Sequence, residues 1–310
     1  MSYLSVKDRC IAGRVCKQWR RIISDNSLWR HVNLLDYKLD LTKMWRILRA
    51  HFSPCLLTMR IQGFAQSVGR KRKRFAVSDA MLKELGNRCP NLSLLHLDSC
   101  NTENITVESL PSSLNSLAVT SSSWQPRWLE DKQQYIPNLK SLDLSRSTRV
   151  DNFDLLDIIK LTHLTELRLN GCYRIKGSGI QIVVKALHSL ILLGLENTRI
   201  DKEAIHHIAR YGKNLQDLNL AYCFISDACL VTLSLGLSKL KKLDLSGCKF
   251  TLDGLTSLWS LKNLQFLICM GVQKPEGIGF SLQELELFKK GFSPKVPFIC
   301  NLTTNVPELL

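Results

Sequence analysis

Residues 214–248 read NLQDLNLAYCFISDACLVTLSLGLSKLKKLDLSGC, and one pattern occurs in them twice. Leu215, Leu218 and Leu220 lead to Cys223; Leu240, Leu243 and Leu245 lead to Cys248. Leu-x-Leu alternation marks a short strand with one apolar face. The stretch that follows carries a second apolar stripe, as in Ile200, Ile205 and Ile208, or Phe250, Leu255 and Leu258, at spacings that suit a helical turn. Asp201, Ser226 and Thr251 stand where such turns begin and are competent caps. A single copy cannot bury both stripes, but stacked copies can.

Outward from this stretch, L-x-x-L-x-L starts at Leu92, Leu114, Leu139, Leu164, Leu190, Leu215 and Leu240, in steps of 22, 25, 25, 26, 25 and 25 residues. A weaker copy at Leu264-Leu267 has Cys269 in its third slot, and degenerate copies flank the array at Leu56-Met59-Ile61 and Leu282-Leu285-Leu287. Repetition at this period predicts an α/β solenoid of roughly eight to ten units. Gly179, Ala204, Cys229 and Gly254 recur where helix and neighbouring repeat should come closest. Cys100, Cys172, Cys223 and Cys248 each lie eight residues past a first leucine, a place for a buried structural thiol that bonds adjoining backbone.

Composition narrows the function classes. Most of the net charge of +15 sits in residues 1–75, with 17 Lys/Arg against 4 Asp/Glu, while the rest of the chain holds 25 against 23. A whole-surface nucleic-acid binder would spread its basic residues, so nucleic acid is not the expected partner. Eleven cysteines, an odd count without a secretory signal or a C-x-x-C pair, point to reduced thiols and away from a zinc-binding ring domain. No apolar run reaches bilayer-spanning length, so a soluble protein of cytoplasm or nucleus is expected, without membrane contact. The run Arg70-Lys71-Arg72-Lys73-Arg74 falls in an extra loop and is a nuclear-import candidate or a solvated loop. His206-His207 point about 100° apart on a helix and make a poor chelating pair. No catalytic motif is present; no catalytic residue, metal or cofactor is expected.

Ahead of the array, VKDRCIAGRVCKQWRRIISDNSLWRHVNL places Ile11, Val15, Trp19, Ile22 and Ile23 at helical spacing, with Arg14, Lys17, Arg20 and Arg21 on much of the other face. By its residues alone this is a basic amphipathic helix packed on the repeats. Tyr3-Leu4, Lys7-Asp8, Val15-Cys16, Trp19-Arg20 and Leu28-Trp29-Arg30 also resemble the second half of an F-box. Followed by cysteine-containing leucine-rich repeats, the segment makes the whole chain similar to the F-box/LRR-repeat family.

The resemblance implies a curved leucine-rich-repeat solenoid behind a short helical, partial F-box. It implies a Skp adaptor, and through it a cullin scaffold, as partners, with Leu4, Val15, Cys16, Trp19, Leu28 and Trp29 as Skp-binding residues. The family's opening helix, with a Leu-Pro start, precedes the Tyr-Leu pair; only two residues precede Tyr3, so that part of the F-box is expected to be missing. The expected division is 1–37 partial F-box, 38–91 linker with the first degenerate repeat and basic loop, 92–290 repeats, and 291–310 tail. The expected function is non-catalytic substrate recognition for a Skp–cullin–F-box ubiquitin ligase; the alternative is a free-standing repeat-based binding or inhibitor module. Strand alternation puts Asp143, Glu166, Arg168, Asp217, Asn219, Asp244, Phe266, Ile268 and Met270 on the concave face. With Asp98, Glu196 and Lys242 the face carries six acidic residues against two basic ones, which would suit protein substrates with basic segments.

Overall fold

A computed structural model describes residues 3–63, 77–277 and 279–291. The chain forms two compact units, residues 1–149 and 150–310. In the first, strands β1 (His31–Leu34), β2 (Thr58–Gln62), β3 (Leu94–Asp98), β4 (Ser116–Thr120) and β5 (Ser141–Asp143) pair in parallel and in chain order. Two short helices, α1 (Val6–Ala12) and α2 (Lys17–Ile23), precede them; α3 (Leu41–His51) and α4 (Asp79–Arg88) link β1 to β2 and β2 to β3. From β3 to β5 the connections are single turns of 3-10 helix at Thr102–Asn104, Val107–Ser109 and Gln133–Tyr135. The short 22-residue step from Leu92 to Leu114 leaves little room for more. Trp124 and Trp128 supply apolar bulk there, edge to face at 5.1 Å, with the Trp128 indole donating to the Ile105 carbonyl at 2.8 Å.

The second unit repeats strand and helix more regularly. Helix α5 (Asn152–Ile158) leads to β6 (Glu166–Arg168), and α6 (Gly177–Ala186) to β7 (Leu192–Gly194). Helix α7 (Lys202–Tyr211) precedes β8 (Asp217–Asn219), α8 (Asp227–Gly236) precedes β9 (Lys242–Asp244), and α9 (Leu252–Thr256) precedes β10 (Phe266–Ile268). These five strands are also parallel and in order, with Leu167, Leu193, Leu218, Leu243 and Leu267 in one register row. All five leucines are fully buried, while residues on either side of them in most of these strands are half-exposed, which is the alternation read from the sequence. This is the leucine-rich-repeat solenoid fold.

Contacts between repeats follow from small residues and reach-back bonds. A Cβ added at Gly179 would lie 2.5 Å from Asn152 Oδ1, and one at Gly254 would collide with the Asp227 carboxylate, so neighbouring repeats approach too closely there for a side chain. Asp201 and Thr251 cap α7 and α9 as expected, accepting from the Ala204 and Gly254 amides; Ser226 makes no side-chain cap bond. At strand entry, an asparagine just before the first leucine reaches back one repeat. Asn91 donates to the Pro54 carbonyl at 2.9 Å, Asn138 to Ser112 at 3.2 Å, Asn214 to His188 at 3.0 Å and Asn263 to Ser238 at 2.7 Å. At strand exit, the Cys223 and Cys248 thiols donate to the Leu195 and Leu220 carbonyls of the preceding repeat at 3.1 and 3.3 Å. Burial pushes the Cys100 and Cys248 thiols up to about 12, the state of structural rather than nucleophilic sulfur.

Three local expectations are corrected. Residues 11–23 do not form one helix: α1 ends at Gly13, and α2 starts after Cys16, whose sulfur accepts from the Trp19 amide at 3.4 Å. Strand β1 falls inside the stretch 1–37 read as helical, while β2 holds Met59 and Ile61 of the first degenerate copy. The copy at Leu282-Leu285-Leu287 is not a strand but lies in helix α10 (Leu282–Lys290). A capping box overrides the repeat pattern, with Ser281 N donating to Glu284 Oε2 at 2.8 Å and Glu284 N to Ser281 Oγ at 3.3 Å. Hydrogen bonding from Lys274, and from the Ser281 amide, holds the Glu284 carboxyl down at about 2.

Candidate protein-docking surfaces

The N-terminal helices divide their apolar residues between two directions. Ser5 caps α1, accepting from the Asp8 amide at 3.2 Å, and Asp25 accepts from the Ser27 amide at 2.8 Å to start the turn Asn26–Trp29. Trp29 is 1% exposed, donates its indole N–H to the Ile23 carbonyl at 2.8 Å, and stacks on the His51 ring with centroids 3.9 Å apart. The Arg9 guanidinium lies over the same indole and donates to the Leu28 carbonyl. Trp29 therefore pins the helices to the first repeat instead of offering a contact surface. Ile23 is buried beside it.

Ile11, Val15, Trp19 and Ile22 face the other way, and Val15 and Trp19 are 64% and 42% exposed. The amphipathic pattern that suggests packing on the repeats thus leaves most of its apolar residues in solvent. Of the residues singled out by resemblance, Val15, Cys16 and Trp19 are exposed, Leu4 and Leu28 are half-exposed, and Trp29 is in the core. These outward apolar side chains, on and between two capped helices, form a candidate surface for a protein partner.

The strand faces carry the second candidate. In the first unit Asp98 accepts from the Ser99 and Thr120 hydroxyls at 2.9 and 2.8 Å, and Asp143 accepts from the Ser145 amide at 2.9 Å. The Thr120 hydroxyl also meets His96 Nε2 at 2.7 Å; burial lowers the His96 pKa and keeps that ring neutral, although Asp98 opposes the shift. In the second unit Glu166 pairs with Arg168 at 2.9 Å and Asp217 with Lys242 at 3.3 Å, while Asn219 donates to Glu196 at 3.3 Å. Asp244 accepts from both the amide and the hydroxyl of Ser246. Much of the acidic character is thus tied up locally. At the last strand, Phe266 and Met270 are exposed and Ile268 is half-exposed, so the face ends on an apolar patch.

Comparison with known proteins bears on both surfaces. Residues 1–35 match the F-box-like family and residues 236–258 match the leucine-rich repeat. The chain thus carries an F-box-like segment ahead of leucine-rich repeats. Mouse F-box/LRR-repeat protein 12 is 28% identical to it over 288 residues, which is 92% of this chain and 87% of the mouse protein. The human protein of that name is also 28% identical, with the same coverage. An internalin from Listeria monocytogenes shares 16% identity with a TM-score of 0.47, covering 79% of this chain and 70% of its own.

Other residues fill plainer roles. The basic run Arg70–Arg74 lies outside the described residues. His207 Nδ1 sits 2.9 Å from the Glu203 carbonyl oxygen and its ring stacks on Tyr211. Among the described residues no helix is long and apolar enough to cross a membrane. The repeat pattern does not mark the exposed pair Tyr222 and Phe224, because only the cysteine recurs just past the strands. The asparagine before Leu92, Leu139, Leu215 and Leu264, in four of the eight copies, is a further signal, less regular than the leucines.

Proposed function

We propose that the chain is the substrate-recognition subunit of a Skp–cullin–F-box ubiquitin ligase, a non-catalytic adaptor with no cofactor. The observation that carries this reading is the outward row Ile11, Val15, Trp19 and Ile22 on an F-box-like segment ahead of leucine-rich repeats. An F-box gives a Skp adaptor an apolar helical surface. Val15 and Trp19 supply it here, Leu4, Cys16 and Leu28 border it, and Trp29 supports it from below. Such an adaptor raises the local concentration of substrate lysine near a ubiquitin-charged enzyme held elsewhere. Purified Skp should capture the chain, and Val15→Asp with Trp19→Ala should abolish capture. Failure of the chain to bind would leave a free-standing repeat-based binder as the better reading.

Substrate proteins are assigned to the strand faces: Asp143 in the first unit, and Glu166, Arg168, Asp217, Asn219 and Asp244 in the second, ending at Phe266, Ile268 and Met270. The surplus of carboxylates favours substrates with basic segments. Reversing charge at Asp143, Glu166, Asp217 and Asp244 should weaken binding of a captured substrate and flatten its salt dependence, in a protein whose circular dichroism is unchanged. Unchanged affinity would remove the acidic face from the account. Arg70–Arg74 is assigned to nuclear import. A tagged chain with Lys71, Arg72 and Lys73 replaced by alanine should shift toward the cytoplasm; an unaltered distribution would make the run a plain solvated loop.

A further inference from the structure

Beside the strand face of the second unit runs a second line of side chains, of opposite charge. Leu193, Leu218, Leu243 and Leu267 share one register, and the residues six positions past them are Arg199, Phe224, Lys249 and Gln273. Single parallel bridges join Lys176 to Arg199 and Lys249 to Gln273, so these positions lie on adjacent repeats along one rim. Lys176, Arg199 and Lys249 are exposed, and none forms an ion pair among the described residues. Two carboxylates close to the row are engaged elsewhere, Asp201 capping α7 and Asp227 accepting from the Thr251 amide and hydroxyl.

Phe224, at the middle of the row, is 90% exposed. It borders a groove of about 750 Å³ that Tyr222, Lys249 and Pro275 also line. Tyr222 is a fixed wall of that groove. Its backbone is left-handed at φ 56°, and its ring lies where a side chain on Gly247 of the next repeat would stand. A bare, fully solvated phenylalanine between unpaired cations has no stabilising role in the folded chain. An apolar side chain flanked by acidic ones would cover it and pair the cations together.

We propose that Lys176, Arg199, Phe224 and Lys249 dock an extended acidic peptide segment of another protein, with one apolar side chain seated against Tyr222 and Phe224. Adjacent parallel strands lie about 4.8 Å apart, so the row spans roughly 15 Å, the reach of about five extended residues. The cations on both sides of Phe224 then call for acidic residues on both sides of the apolar one. A peptide fits this row better than a nucleic acid does. The strand-face carboxylates Glu196, Asp217 and Asp244 would repel a long polyanion, and residues 76–310 are close to neutral, with 25 basic against 23 acidic. The site is distinct from the F-box-like surface, and its test requires no Skp adaptor, so either reading can fail without the other.

The test uses the full chain, immobilised, against a randomised library of peptides about nine residues long with a central leucine. Sequencing of the bound fraction should show Asp and Glu enriched on both sides of the leucine. Affinity of the best acidic peptide, read by fluorescence anisotropy, should fall more than about tenfold in the double variant R199E/K249E and also fall in F224S, and it should weaken with salt. The substituted residues are exposed, and unchanged circular dichroism would show both variants folded. Absence of acidic enrichment overturns the proposal, as does equal affinity of R199E/K249E. Oligouridine binding as tightly as the best peptide, and lost in the same double variant, overturns it by giving the row to nucleic acid.

Discussion

Trp29→Ala should destabilise the first unit by about 3–5 kcal/mol, whereas Trp19→Ala should change its stability by no more than about 0.5 kcal/mol. Both are tryptophans of one short segment, ten residues apart. Trp29 is 1% exposed and holds three attachments together: the hydrogen bond to Ile23, the stack on His51, and the Arg9 guanidinium above its ring. Truncation would leave a cavity the size of an indole and strip the Ile23 carbonyl of its donor. Trp19 at 42% exposure loses little on truncation. Urea denaturation followed by circular dichroism measures the difference, with a large fall in midpoint for the first variant and almost none for the second. Equal midpoints would mean that the helices are not pinned through Trp29.

Leu167→Ala should cost about 2–5 kcal/mol and Arg168→Ala under about 1 kcal/mol. Leu167 is fully buried in the register row of the second unit, with Leu193 beside it. Its loss opens a cavity that neighbours in fixed register cannot fill. Arg168 points from the opposite face and pairs with Glu166, where both side chains keep about a third or more of their exposure. Solvent screening makes such a pair worth little. Thermal or urea melts of the two variants compare them directly, and similar losses would show that the strand phase is inverted by one residue.

How far the sequence speaks depends on whether a feature repeats. Leu167, Leu193, Leu218 and Leu243 announce strand, phase and register together, because the same physical demand returns every 25 or 26 residues. Features met once are harder. His31–Leu34 carries only Val32 and Leu34 as inward residues, too short an alternation to separate from the preceding helices. Leu282, Leu285 and Leu287 match the repeat template, yet Ser281 and Glu284 decide for a helix through a bond pair that the leucine pattern does not contain. For the N-terminal surface, helical spacing identifies Ile11, Val15, Trp19 and Ile22 as one group but cannot say which way the group points. Direction is set by Trp29, whose partner His51 lies 22 residues further on.

The asparagine and cysteine bonds that run back one repeat make several copies the finishers of their predecessors. Asn214 completes a carbonyl at His188, Cys223 one at Leu195 and Cys248 one at Leu220; the donors are late in the chain and the acceptors early. Such a chain obeys a grammar for growth. A cassette of one period spliced between β8 and β9 would join without leaving a bare buried carbonyl if it brought a thiol or hydroxyl eight residues after its first leucine. A cassette lacking that group would interrupt the array at a buried acceptor, at a cost of about 1–3 kcal/mol, whereas the asparagine bonds are solvent-exposed and worth less. The strand faces of this protein can therefore lengthen or shorten by whole repeats, while the buried carbonyls at strand exit stay capped by the same kind of side chain.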